Sequence, residues 1–133
     1  MSTLTPTLTL ITSDENLYSG DEVAISATDA LTLGANKAKI IRKISPNDVD
    51  PGGTQIFDTN LGKSYIYCKN IHATLTMWLA PAADTATGSC WMQLAPGEFT
   101  YFPWAGAVDL FVHTGANGQG IGTEGFEYII FEA

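Results

Sequence analysis

The feature that most limits what this chain can fold into is alternation with a period of two. In FEYIIFE (126–132), Phe126, Tyr128 and Ile130 fall on one side of an extended backbone, and Glu127, Ile129 and Phe131 on the other. KSYIYCK (63–69) sets Tyr65 and Tyr67 against Ile66 and Cys68. VDLFVH (108–113) sets Val108, Leu110 and Val112 against Asp109, Phe111 and His113. IHATLTMWL (71–79) reads as a strand with Ile71, Ala73, Leu75, Met77 and Leu79 on one face, and His72, Thr74, Thr76 and Trp78 on the other. Side chains of a strand point to alternate faces, so such runs belong to half-buried strands. Weaker runs of the same kind are TLTLIT (7–12), EVAISAT (22–28), AKIIRKI (38–44), TQIF (54–57), CWMQL (90–94) and EFTYF (98–102). The best helical candidate, residues 29–43, is interrupted by Gly34 and Asn36 and reads as two strands and a turn.

Turn residues punctuate these runs closely: Ser19-Gly20, Gly34, SPND (45–48), DPGG (50–53), Asn60-Leu61-Gly62, Pro81, Pro96-Gly97 and Pro103. Many short strands with close turns predict a single all-β domain over residues 1–133, an antiparallel β-sandwich of jelly-roll-like type with about eight strands. The opening MSTLTPTLTLIT alternates Thr with Leu around Pro6, so residues 1–13 form either an extended arm or an edge strand. Charged residues make up only 15% of the chain, against about 25% in ordinary domains. Thr, Ser, Asn and Gly must therefore solvate the surface, and these accompany strands and turns.

The formal net charge is −8, and all six bases (Lys37, Lys39, Arg42, Lys43, Lys63, Lys69) lie within residues 37–69. A surplus of acid argues against nucleic acid as a partner, because phosphate binding rests on Lys and Arg. No stretch reaches the roughly 18 apolar residues of a membrane span. The N-terminus lacks the basic head and continuous apolar run of a signal peptide, which predicts a chain made in the cytoplasm. Cys68 and Cys90 fit no zinc spacing and read as two reduced, buried thiols.

Chemistry-bearing motifs are sparse. GIGTEG (120–125) matches GxGxxG, but it precedes a closing strand and not the helix that a dinucleotide site requires. The acids of SDENLYSGDE (13–22) miss the offsets of a calcium loop. His72 and His113 have no His or Cys at ligand spacing. Glu98 and Asp109 are the nearest thing to a carboxylate pair, with nothing to fix their separation. The expectation is a non-enzyme without cofactor or metal.

LAPGEFTYFPWAG (94–106) crowds aromatic residues around a turn. Pro96-Gly97 supplies the corner, Phe99 and Tyr101 share one face of the following strand, and Phe102 takes the other. Pro103 is expected to end that strand and leave Trp104 at a corner. Core packing accounts for most of these rings, with Tyr101 or Trp104 free to join an interface.

The order KSYIYCKN, ATLTMWL, LAPGEFTYFPWAG, VDLFV, a Gly-rich loop and FEYIIFE resembles small structural proteins of tailed bacteriophages over about residues 55–132. The resemblance implies a virion component of the capsid decoration (cement) type. Such a protein is a homotrimer on the capsid exterior, bound to the major capsid protein and bridging capsomers. On that reading Leu4, Leu8, Trp78, Tyr101 and Trp104 are the contact residues. The alternative is a glycan-binding tail or fibre module that stacks sugars on Trp78 or Trp104.

Overall fold

A computed structural model of the protein describes residues 2–11, 24–33, 42–44, 46, 53–58, 62–81, 90–114 and 125–132. Among these residues every regular element is a β-strand, and every pairing is antiparallel. The chain, read above as one domain, divides by its contacts into two compact units, Met1–Ala35 and Asn36–Ala133. The division falls at the Gly34-Ala35-Asn36 interruption of the helical candidate.

The described residues of the first unit form a two-stranded ribbon. β1 (Ser2–Leu4) pairs with β4 (Leu31–Leu33), and β2 (Thr7–Ile11) pairs with β3 (Ala24–Thr28). Both pairs keep one register, with Ser2 opposite Leu33 at one end and Ile11 opposite Ala24 at the other. The break between them sits at Pro6, which has no N–H to give to the ladder. Asp29 bridges the break: its N–H donates to the Pro6 carbonyl at 3.3 Å, and its Oδ1 accepts the Ala30 N–H at 2.8 Å. The N-terminal run is therefore a paired strand with a proline interruption.

The described residues of the second unit form eight strands in two four-stranded sheets. They are β5 (Arg42–Ile44), β6 (Thr54–Phe57), β7 (Ser64–Asn70), β8 (Met77–Ala80), β9 (Met92–Leu94), β10 (Phe99–Trp104), β11 (Leu110–His113) and β12 (Phe126–Glu132). One sheet runs β10-β7-β12-β5 and the other β6-β11-β8-β9. Ile66, Cys68, Phe126 and Ile130 of the first share one buried cluster with Phe57, Met77, Leu79, Leu110 and Val112 of the second. The two inner faces thus form a sandwich core, and the alternation read from the sequence is what supplies it. In β7 and β12 buried and half-buried positions alternate without exception.

Two stretches depart from the expected strands. Residues 71–76 form a turn, and only Met77–Ala80 is extended. Side chains capture the backbone there. The Asn70 Nδ2 donates to the Leu75 and Leu94 carbonyls at 2.8 and 2.9 Å, and its Oδ1 accepts the His72 N–H at 3.0 Å. The His72 Nδ1 accepts the N–H groups of Thr74 and Leu75 at 3.1 and 3.0 Å. Such local bonds compete directly with a strand ladder.

β10 also runs through Pro103 to Trp104, although the proline was expected to stop it. The Asn70 N–H donates to the Glu98 carbonyl at 2.9 Å, which sets the ladder phase. Alternation from Glu98 turns the backbone groups of Phe99, Tyr101 and Pro103 away from β7. β10 is an edge strand, so the missing N–H of Pro103 costs no hydrogen bond. The corner before it is as expected: Glu98 N–H donates to the Ala95 carbonyl at 3.0 Å, and Gly97 has φ +84°.

Candidate functional site

Three features of the described surface stand out, one on the ribbon and two on the sandwich. On the ribbon, Leu4 ends β1, Leu8 and Leu10 occupy alternate positions of β2, and Ala27 lies opposite Leu8. Thr3, Thr5, Thr7 and Thr9 take the other face. Leu8 is 52% exposed and Leu10 48%, while Leu4 is half-buried. A two-stranded ribbon is marginally stable in water by itself. This one also leaves leucines in contact with solvent.

On the sandwich, the outward face of the β10-β7-β12 sheet is aromatic. The register sets Tyr67 between Tyr101 and Ile129, and Tyr65 between Pro103 and Phe131. Tyr65 and Tyr101 stack diagonally with centroids 6.2 Å apart and planes 10° apart, and Tyr67 lies 6.4 Å from Phe99. Offset ring pairs on neighbouring strands stiffen a sheet face. Lys63 Nζ rests 5.8 Å above the Tyr65 ring. Phe99 is 65% exposed and Tyr101 37%, so the patch is open at the β10 edge. Burial first, then the Glu127 carboxylate and Cys68, raises the Tyr67 phenol above its ordinary value and keeps it a neutral donor.

Beside this patch an open groove of about 550 Å³ is lined by Gln93, Glu98, Phe99 and Thr100, with Met92, Leu94 and Gly97. Glu98 is held in it by its own turn, its Oε2 accepting the Ala95 N–H at 2.7 Å.

The expected contact residues divide. Leu8 and Tyr101 are exposed, Leu4 and Trp78 are half-buried, and Trp104 is a core residue. Trp104 packs edge-on against Phe57 and Phe102, and its Nε1 donates to the Val108 carbonyl at 3.0 Å. It presents almost nothing to a partner, because extending β10 past Pro103 turns its indole inward. The accessible tryptophan is Trp91, 51% exposed and tilted against Trp104 at 4.7 Å. Trp78 shares no strand face with His72, Thr74 and Thr76, since those residues lie in the turn; its cross-strand neighbours are His113 and Gln93.

The cysteines also differ from each other. Cys68 is wholly buried, and burial alone raises its thiol pKa far above the ordinary value. Cys90 is half-buried, not buried, and its Sγ lies 2.9 Å from His113 Nε2. Sequence spacing gave no hint of this pair, because the two residues are 23 positions apart and are joined only by sheet pairing. Among the described residues no group of three or more His, Cys, Asp or Glu could hold a metal ion. The acidic run 13–22 and the glycine-rich 120–124 lie outside the described residues. The chain has no match among protein-family models, curated proteins or solved structures.

Proposed function

We propose that the protein is a virion structural component that decorates a phage capsid from outside, as a homotrimer bound to the major capsid protein. The strand order supports a jelly-roll reading of the sandwich. Numbered from β5, one sheet runs first, eighth, third, sixth, and the other second, seventh, fourth, fifth. First pairs with eighth, second with seventh, third with sixth and fourth with fifth, as when one long hairpin is rolled up on itself. Viral capsid and lectin domains are built this way.

The observation that carries the functional reading is the ribbon with its solvent-facing Leu8 and Leu10. Covering two half-exposed leucines contributes about 1 kcal/mol each, and a neighbouring copy supplies the missing layer. The aromatic face of Phe99, Tyr101, Tyr65 and Tyr67 is left for the shell, since Tyr and Phe are favoured at the centres of interfaces. A protein acting by contact needs no catalytic set and no cofactor. Each bound copy stabilises the assembled shell over its free subunits by mass action.

Co-sedimentation with empty capsids tests this. Wild-type protein should pellet with the shells, and added oligosaccharides should leave binding unchanged. Tyr101→Ser, which leaves the core alone, should weaken binding at least tenfold, the equivalent of about 1.4 kcal/mol. Unbound wild-type protein would overturn the reading.

A glycan-binding tail or fibre module is the second reading, favoured by the groove in which exposed Phe99 sits among Gln93, Glu98 and Thr100. The stacking ring would then be Phe99, with Trp104 confined to the core. Loss of oligosaccharide binding in Phe99→Ala, measured by calorimetry, would select it.

A further inference from the structure

His113 ends β11 on the outward side of its sheet, opposite Trp78, yet it is wholly buried. Its Nε2 meets Cys90 Sγ at 2.9 Å. The thiol is held there by its chain neighbour: the Trp91 N–H donates to the Leu79 carbonyl at 3.1 Å, which ties the strand-entry backbone to β8. The contact is too short for a shared metal. Zinc bound at about 2.3 Å from sulfur and about 2.0 Å from nitrogen would hold two tetrahedral ligands about 3.5 Å apart. What fits 2.9 Å is a proton shared between thiol and imidazole. Cys90 is half-buried as a residue, and its chain neighbour Trp91 is 51% exposed, which sets the thiol within one residue of the surface.

The geometry points to Cys90 as a nucleophilic thiol whose proton passes to His113, with small-molecule disulfides as its substrates. Thiolate is the reactive form, and an adjacent imidazole raises its share at neutral pH. The Cys90 proton moves to His113 Nε2, and the thiolate attacks one sulfur of the disulfide. The new S–S bond forms as the old one breaks, and the departing thiolate takes the proton from His113. One disulfide is consumed; one mixed disulfide and one free thiol are produced. The disulfide itself is the oxidant, and the exchange is stoichiometric. It is independent of any capsid role. Cys68, sealed in the core, is the internal control.

The folded, full-length protein is incubated at neutral pH with 2-hydroxyethyl disulfide and followed by intact mass and peptide mapping. One adduct is expected, on Cys90, forming about tenfold faster than on the same thiol in the denatured chain. Cys68 should remain free until the protein unfolds. Partial burial alone would slow Cys90, so acceleration cannot come from its position. A thiolate ultraviolet band should be present in the wild type, absent in Cys90→Ser and diminished in His113→Gln. That last variant can still hydrogen-bond the sulfur but cannot take its proton. It should react no faster than the denatured chain. A wild-type rate at or below the denatured rate, or a folded His113→Gln with an unchanged rate, overturns the assignment. Should His113→Gln fail to fold, the wild-type rate ratio and the ultraviolet band decide between the same two outcomes.

Discussion

In β7 of the sandwich, Ile66 and Cys68 are wholly buried; in β2 of the ribbon, Leu8 and Leu10, at the same two-residue spacing, stay about half exposed. Local pattern does not separate them. The difference lies in the second layer: β7 faces a partner sheet across a shared core, whereas the described residues of the ribbon form two strands. Apolar side chains left about half exposed in a row are the kind of surface that contacts with other molecules use.

The comparison can be tested by mutating its two sides. The largest effect should come from the core, where Phe126→Ala empties a fully buried site. It should cost about 3–5 kcal/mol in chemical denaturation, whereas Leu8→Ala should leave the unfolding of the sandwich within about 0.5 kcal/mol. Equal losses would break the distinction.

Gly106→Ala should follow, at about 3 kcal/mol. Gly106 has φ +76°, and an added Cβ would strike the backbone of Gly62, so neither strain nor collision can relax cheaply. Thermal unfolding reads this directly. Asn70→Ala should cost about 2–3 kcal/mol, because the Leu75 and Leu94 carbonyls and the His72 N–H all lose their partner.

The smallest effect sharpens the picture of the core thiol. Burial raises the folded pKa of Cys68, while in the unfolded chain the thiol ionises at its ordinary value of 9.0. Above that pH the unfolded state binds fewer protons than the folded one. Stability is therefore intact at neutral pH and falls as pH rises past 9.0. Denaturation midpoints across that range should fall less steeply for Cys68→Ala than for wild type; parallel curves would contradict a sealed thiol.

How much of this was legible in the sequence depends on whether neighbours along the chain or across a sheet decide the outcome. FEYIIFE and SYIYCK reveal their faces because alternation is a property of consecutive residues. Pro96-Gly97 likewise announces its turn. The turn at 71–76 was hidden: Ile71, Ala73 and Leu75 alternate like a strand, but Asn70 and His72 supply hydrogen bonds that periodicity does not register. Pro103 was misread because its effect depends on whether β10 is an edge strand, which is a matter of sheet order. The same dependence moved Trp104 into the core and left Trp91 as the exposed indole. Cys90 and His113 meet only through the pairing of β8 with β9 and β11.

The claim on which the account rests is that the ribbon's leucines exist to be covered by another copy of the chain. Sedimentation equilibrium of wild type and of a Leu8→Ser, Leu10→Ser double variant tests it most directly. The account predicts a stable oligomer for wild type, and a monomer with unaltered sandwich unfolding for the variant. A wild-type monomer at every concentration, or a variant that assembles as well as wild type, would contradict it.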